Sequence, residues 1–252
     1  VKLLTLARDL QRRKAREKHS LFVAEGVRSV EELLRSGLPV RGALVTPKLA
    51  AAPRGESLRK RLDESGVEVA ELSEKDFLSA AETESPQGVL AIGEVPVRSL
   101  DTLDLPVVCR ILVLDAVQDP GNVGTILRTA SALGASATIA LPGTVDLWNP
   151  KVIRSSMGAQ FAHQAFPAEW PDVTRFLDRE GVELWAADAQ GEPLDLGRAV
   201  ERLAIVVGNE GSGLNPAIRA RAQRTISLPL TSGVESLNVA VAAGIILYEL
   251  HP

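Results

Sequence analysis

Apolar positions in the second half of the chain cluster in short unbroken runs, at residues 110–114, 137–141, 184–187, 203–207 and 225–228. Runs this short do not make helices, and strands with one wet face would alternate instead. The pattern predicts buried parallel strands separated by helical stretches, hence an open, mainly parallel α/β sheet. Ligands in such sheets bind beyond the carboxyl ends of the strands. A strongly apolar helix over 240–250 ends the pattern.

The first hundred residues predict a smaller α/β unit. A basic helix covers 2–17, a buried strand 21–24, and a helix 25–35 that Gly37 stops. Strands follow at 40–45, 67–72 and 88–93, with helices at 58–65, ending at Gly66, and from Ser73 onward. Pro96 and Pro106 mark a linker. The expected division is residues 1–95, a linker over 96–106, and a larger domain over 107–252.

Composition narrows the function. A chain of 252 residues has ample core for two modest domains. No apolar run approaches the ~20 residues that span a bilayer. The opening residues meet charges where a signal peptide has its apolar core. The single cysteine, Cys109, has no internal partner, which suits a reducing compartment. A cytoplasmic protein without membrane attachment is expected. His19, His163 and His251 lack ligand spacing, so no metal site is expected, and His163 reads as a structural residue. Trp148 and Trp185 read as core or dimer contacts, with base stacking as the alternative.

A net charge of −4 argues against nucleic acid, but its distribution does not. Residues 1–20 carry Lys2, Arg8, Arg12, Arg13, Lys14, Arg16 and Lys18 against Asp9 and Glu17. Arg8, Arg12, Arg13, Lys14, Arg16 and Lys18 are therefore candidate RNA contacts, the alternative being a solvated helix face.

Three loops follow predicted strands. The first, 119–130, turns at Pro120-Gly121, and Asn122 is a candidate N-cap for a helix that carries Arg128. A helix starting near Val123 places Arg128 in its second turn. An ordinary capped helix with a surface arginine is the competing reading. The second loop, Gly208-Asn-Glu-Gly-Ser-Gly213, lets backbone approach a ligand closely. Its spacing is not the dinucleotide fingerprint, and no P-loop lysine follows. The third, 226–239, runs through Pro229, Ser232 and Gly233 to Ser236-Leu237-Asn238 at the mouth of the final helix. Ser or Asn at such a mouth caps it.

In order and spacing, three stretches resemble the motifs of the SpoU (TrmH-like) RNA 2′-O-ribose methyltransferases of the SPOUT superfamily. They are Asn122 with Arg128, Gly208-x-Glu210-x-x-Gly213-Leu, and Leu228-Pro229 followed by Ser236-Leu237-Asn238-Val239. The resemblance covers about residues 107–252. Residues 1–95 resemble the family's RNA-binding domain of ribosomal-protein-like type, on element order and on Phe22-Val-Ala-Glu25-Gly26.

The resemblance implies a SPOUT α/β-knot, a deep trefoil knot that chain-path rules would not suggest. It implies S-adenosylmethionine as cofactor, methyl transfer to a ribose 2′-hydroxyl of RNA (ribosomal ahead of transfer), and a homodimer through the catalytic domain. Transferred by motif position, Arg128, Asn122, Glu210, Asn238 and Ser236 are the catalytic set. Ala187, Gly208, Gly213, Leu228, Leu237 and Asn238 are the cofactor contacts. Arg128 stands where the family proposes a base, although a guanidinium keeps its proton far above neutral pH. A non-catalytic RNA-binding or ribosome-assembly protein on the same fold is the alternative. A nucleotide-dependent oxidoreductase lacks the required glycine spacing.

Overall fold

The structure, a computed structural model, describes residues 2–195, 200–231 and 236–251. Ser232 and Gly233 of the third loop lie outside the described residues. The chain divides into two compact units, Val1–Val97 with Trp148–Ala162, and Arg98–Leu147 with His163–Pro252. Residues 148–162, inside the span expected to be catalytic, therefore pack with the first unit.

The single basic helix expected over 2–17 is instead two, α1 (Lys2–Asp9) and α2 (Arg13–His19). The break lets Leu10 turn fully into the core. Arg16 folds into the break, where its Nη1 donates to the carbonyls of Leu10 at 2.7 Å and Gln11 at 2.8 Å. Those carbonyls end a helix and need donors. After β1 (Leu21–Glu25), α3 (Val27–Ser36) begins beyond Gly26, whose φ of +93° no side chain favours. β2 (Val40–Val45) leads through a 3-10 turn, Pro47–Ala51, into α4 (Pro53–Glu64), which starts earlier than expected because Pro53 suits a first helical position. β3 (Val69–Glu71), α5 (Glu74–Leu78) and β4 (Val89–Glu94) complete the series, and Ser73, where the helix was expected to start, is its cap. The sheet order is β1-β4-β2-β3, antiparallel except between β2 and β3.

In the second unit, β5 (Cys109–Leu114), α6 (Pro120–Ala132) and β6 (Ala137–Ala140) come first. The chain then returns to the first unit for α7 (Pro150–Ser156) and α8 (Ala159–Ala162). There Trp148 and Phe161 stack on Phe22 with ring centroids 4.6 and 5.5 Å away. Gly93 makes room for that ring, since a Cβ there would meet Phe22 at 2.5 Å. The second unit resumes with β7 (Ala165–Pro167), α9 (Trp170–Glu180), β8 (Glu183–Pro193), β9 (Arg202–Val207), α10 (Pro216–Arg221), β10 (Arg224–Ser227) and α11 (Val239–Glu249).

These strands form one sheet in the order β10-β8-β9-β5-β6-β7, and every pairing is parallel. All five unbroken apolar runs are strands within it. β7 was not foreseen: it has three residues and ends at a proline. The core contains Ile111, Val113, Ile139, Phe176, Leu184 and Val206. Trp185 is fully buried, with its Nε1 donating to Glu183 at 2.8 Å and Arg224 lying over its ring, so it is a core residue. β8 is long because it leaves register: Ala186 faces Thr225, but the next pair is Glu192 with Ile226, so 187–191 bulge outward.

Candidate active site

Parallel pairing sets Leu114 at the end of β5 opposite Val207 at the end of β9, so the two following loops leave the sheet side by side. In the first, Asp119 and not Asn122 caps α6, its carboxylate accepting from the Asn122 N–H at 2.7 Å. Pro120 takes the first helical position, as the missing N–H allows. The Asn122 side chain is thereby released for other contacts.

The second loop folds back on itself. Asn209 and Gly213 exchange two backbone hydrogen bonds of 3.0 Å, and Gly213 adopts φ +71°. Asn209 Oδ1 accepts from the N–H groups of Gly211 and Ser212 at 2.9 Å, while its Nδ2 donates to the Ala116 carbonyl at 2.8 Å. The Asp115 carboxylate accepts from the Asn215 N–H at 2.6 Å. Gly208 is pressed against this fold, and a Cβ there would lie 2.5 Å from the Gly213 carbonyl carbon. Neither Asn209 nor Asp115 stands out in the sequence, because both are ordinary loop residues.

Glu210 joins the two loops. Its carboxylate accepts from the N–H groups of Gln118 and Asp119 at 3.3 Å and from Asn122 Nδ2 at 3.0 Å. Asn122 Oδ1 in turn accepts from Asn238 Nδ2 at 2.9 Å. Asn238 caps α11, its Oδ1 accepting from Ala240 N–H at 2.9 Å and Val241 N–H at 3.3 Å. Both ends of this chain fix its direction. A carboxylate only accepts and backbone N–H groups only donate, so neither amide can turn over without losing bonds. Partial burial would raise the Glu210 carboxyl pKa. Hydrogen bonds from Asn122 and from the backbone of Glu210, Gln118 and Asp119 outweigh it and hold the group below its ordinary value. Glu210 is thus ionised at neutral pH and serves as an acceptor, not as a proton shuttle.

Glu210 and Asn238 of this chain border a cleft of about 480 Å³, whose lining does not include Asn122. All six expected cofactor residues, Ala187, Gly208, Gly213, Leu228, Leu237 and Asn238, line it. Glu210 and Ser236 line it too, and Ile246 of α11 adds an apolar wall. The outward bulge of β8 contributes Asp188, which the sequence did not single out and which pairs with Arg219 at 3.2 Å. Arg128 is exposed and is not among the lining residues. With α6 starting at Pro120 it lies in the third turn, not the second, and about 120° around the helix from Asn122.

The N-terminal basic residues divide. Arg8, Arg12, Arg13, Lys14 and Lys18 are exposed, with Arg12 paired to Asp9 and Arg13 to Glu17. Arg16 is 4% exposed and engaged with carbonyls, so it is no surface phosphate contact, and that expectation is corrected. Among the described residues no cluster of potential metal ligands occurs, and no helix is long and apolar enough to cross a membrane.

Residues 110–248 match the SpoU rRNA Methylase family, and residues 4–91 match the MRM3-like substrate binding domain. The chain is 36% identical over 245 residues to the 23S rRNA (guanosine(2553)-2'-O)-methyltransferase RlmP of Bacillus subtilis, covering 97% of this chain and 94% of that protein. It is 30% identical to the 23S rRNA (uridine(2479)-2'-O)-methyltransferase of Streptomyces viridochromogenes, over 95% of this chain and 85% of the other. Its structure is similar to that of the SpoU methyltransferase AviRb from Streptomyces viridochromogenes in complex with AdoMet. The TM-score is 0.89 at 27% identity, with 99% of this chain and 97% of that chain covered.

Proposed function

This chain belongs to the SpoU rRNA methylase family, and on that premise we propose that it transfers a methyl group from S-adenosylmethionine to a ribose 2′-hydroxyl of ribosomal RNA. The cleft suits that cofactor. Its volume of about 480 Å³ is that of a small-molecule site. At Gly208 any side chain would collide with the Gly213 backbone, so glycine is required there for the second loop to fold into its place along the cleft. The convergence of the second and third motifs on one cleft of that size carries the reading.

Leu228, Leu237 and Ile246 supply apolar walls for a purine, and the backbone of Gly208, Leu228 and Leu237 supplies polar contacts. When bound, S-adenosylmethionine supplies a sulfonium-activated methyl group open to in-line attack. The residues of this chain must then hold a weakly nucleophilic hydroxyl in place and favour loss of its proton. Asn122 and Asn238, locked in direction by Glu210 and by α11, position the ribose, with Ser236 in support. Arg128, exposed and outside the cleft lining, acts on the RNA side, where its permanent charge stabilises the developing alkoxide and grips the neighbouring phosphate.

The proposal extends to the trefoil knot, to a homodimer and to the cytoplasm. The packing of α11 on α6 and the Asn238–Asn122 hydrogen bond support the first, since they return the chain to the first motif after the third. An exposed apolar stripe on α11, Val241, Ile245 and Tyr248, supports the second. The lone buried thiol of Cys109 suits the third.

Calorimetry with S-adenosylmethionine, together with mapping of 2′-O-methyl sites in ribosomal RNA with and without the gene, tests this function. Binding of the cofactor and loss of one ribosomal site on deletion are expected. RNA binding without cofactor affinity would be the behaviour of a non-catalytic RNA-binding protein and would overturn the reading. Arg128→Ala should lower turnover about 100-fold or more with cofactor affinity kept. Near-normal turnover of that variant would remove Arg128 from the catalytic set.

A further inference from the structure

A second cavity, of about 350 Å³, opens at the N-terminal end of α3 within the first unit. Gly26 precedes the helix and offers no side-chain cap. Gln87 Oε1 meets the Val27 N–H at 2.8 Å. The N–H groups of Arg28 and Ser29 have no partner among the described residues. The positive end of the helix dipole is therefore open. Ser29 lines the cavity at 6% exposure, and its Oγ has no hydrogen-bond partner. Buried hydroxyls in native proteins are normally paired, so this one marks a place for a ligand.

Two arginines border the same cavity, Arg28 from α3 and Arg154 from α7. Both are exposed, and neither guanidinium has an ion-pair or hydrogen-bond partner among the described residues. In the same unit Arg12, Arg35, Arg41, Arg54 and Arg59 each face a carboxylate. Glu25 also lines the cavity, but its carboxylate accepts from the N–H groups of Glu82 at 2.7 Å and Thr83 at 3.3 Å and from the Thr83 hydroxyl. That carboxylate keeps its single negative charge, and the two arginines against it leave the cavity net positive.

We propose that this cavity binds a phosphodiester of the substrate RNA, and so anchors the strand on the N-terminal unit; the proposal rests on the RNA methyltransferase reading above. Two helix-end N–H groups, one hydroxyl and two guanidinium forks match the acceptor oxygens of a phosphate. The site adds specificity of position that the exposed charges of α1 and α2 do not provide, since Arg12 and Arg13 already pair with carboxylates and Arg16 is buried.

The test uses the full chain, in-vitro-transcribed 23S rRNA as probe, and binding measured over a range of salt. Arg28→Ala with Arg154→Ala should raise Kd about tenfold or more and reduce the slope of log Kd against log salt by about 1–2. Ser29→Ala should weaken binding with the slope unchanged, and Arg154→Lys should recover part of the loss. Cofactor affinity, read by calorimetry, should not move. A double variant with the wild-type Kd and slope overturns the proposal. So does a site where inorganic phosphate binding is lost in the double variant but rRNA affinity is not, for it would then take a free anion only. Wild-type protein that binds rRNA with the arginine-dependent slope yet transfers no methyl group supports the phosphate site while the enzyme reading fails.

Discussion

A carboxylate can only accept, and Glu210 uses that restriction to set which way two neighbouring amides face. Glu210→Ala should cut methyl transfer about tenfold to a hundredfold through kcat, with a smaller change in cofactor affinity, because it frees Asn122 to turn. Glu210→Gln, which keeps an acceptor, should recover part of that rate; an alanine variant at full rate would remove the positioning role. Because the Glu210 pKa is depressed, its tie is fully present above the ordinary carboxylate range and is lost only as pH falls through the lower folded value. His163 acts in the same direction on acidification through a different cause, since the fold disfavours its charged form. Burial, and then the charge of Arg98, lower its pKa from 6.5 to about 4, while Thr138 Oγ1 lies 2.8 Å from its Nε2. Below pH 6.5 the unfolded chain gains a proton that the folded chain refuses, so stability should fall between pH 6.5 and 4 by on the order of 3 kcal/mol. In His163→Gln, thermal melts across that range should lose this part of the slope; an unchanged slope would assign it elsewhere. Glu210 stood out in the sequence because a glutamate is not ordinary turn chemistry, whereas Gly208 and Asn238, common turn and cap residues, were singled out only by their places in the motifs. Asn209 and Asp115 were not, because their work lies in bonds to residues about a hundred positions away or hidden inside one loop.

Secondary structure was most legible where burial leaves no ambiguity. Four of the five unbroken apolar runs are interior strands, buried between neighbours, while the fifth, β10, lies at the sheet edge and is only partly buried. The break between α1 and α2 was hidden because the basic residues on either side are good helix formers, and only the burial of Leu10 and Arg16 interrupts them. At the start of α6, asparagine looked like the cap, but the aspartate before Pro120 holds that place. Asp119→Ala should therefore destabilise the second unit by about 1 kcal/mol. That corresponds to a drop of about 2–4 °C in Tm. An unchanged melt would mean that Pro120 alone sets the helix start. The far end of α11 is held differently: buried Arg110 donates its Nε to the Leu250 carbonyl at 2.7 Å and its Nη1 to the carbonyls of Cys109 and Glu201 at 2.9 Å. A cation at a helix C-terminus complements the dipole there.

On the scale of the whole molecule, α11 shows Val241, Ile245 and Tyr248 to solvent at 50%, 39% and 69% exposure, spaced as one face of a helix. If a second copy covers that face, Ile245→Asp with Tyr248→Asp should convert a dimer to a monomer in sedimentation with each unit still folded. A wild-type chain that sediments as a monomer would dismiss the dimer. The two-part organisation was legible from the prolines near residue 100, yet the assignment of 148–162 was not. Stacking of Trp148 and Phe161 on Phe22 joins positions more than a hundred residues apart, and no local pattern carries such a pairing. That borrowed stretch bears on how the protein can be rearranged. A chimera that grafts a foreign N-terminal module at a single joint near residue 97 would leave Trp148 and Phe161 with nothing to stack on. Exchange of these modules by recombination therefore needs two coordinated replacements, so the N-terminal and catalytic portions are expected to be inherited together.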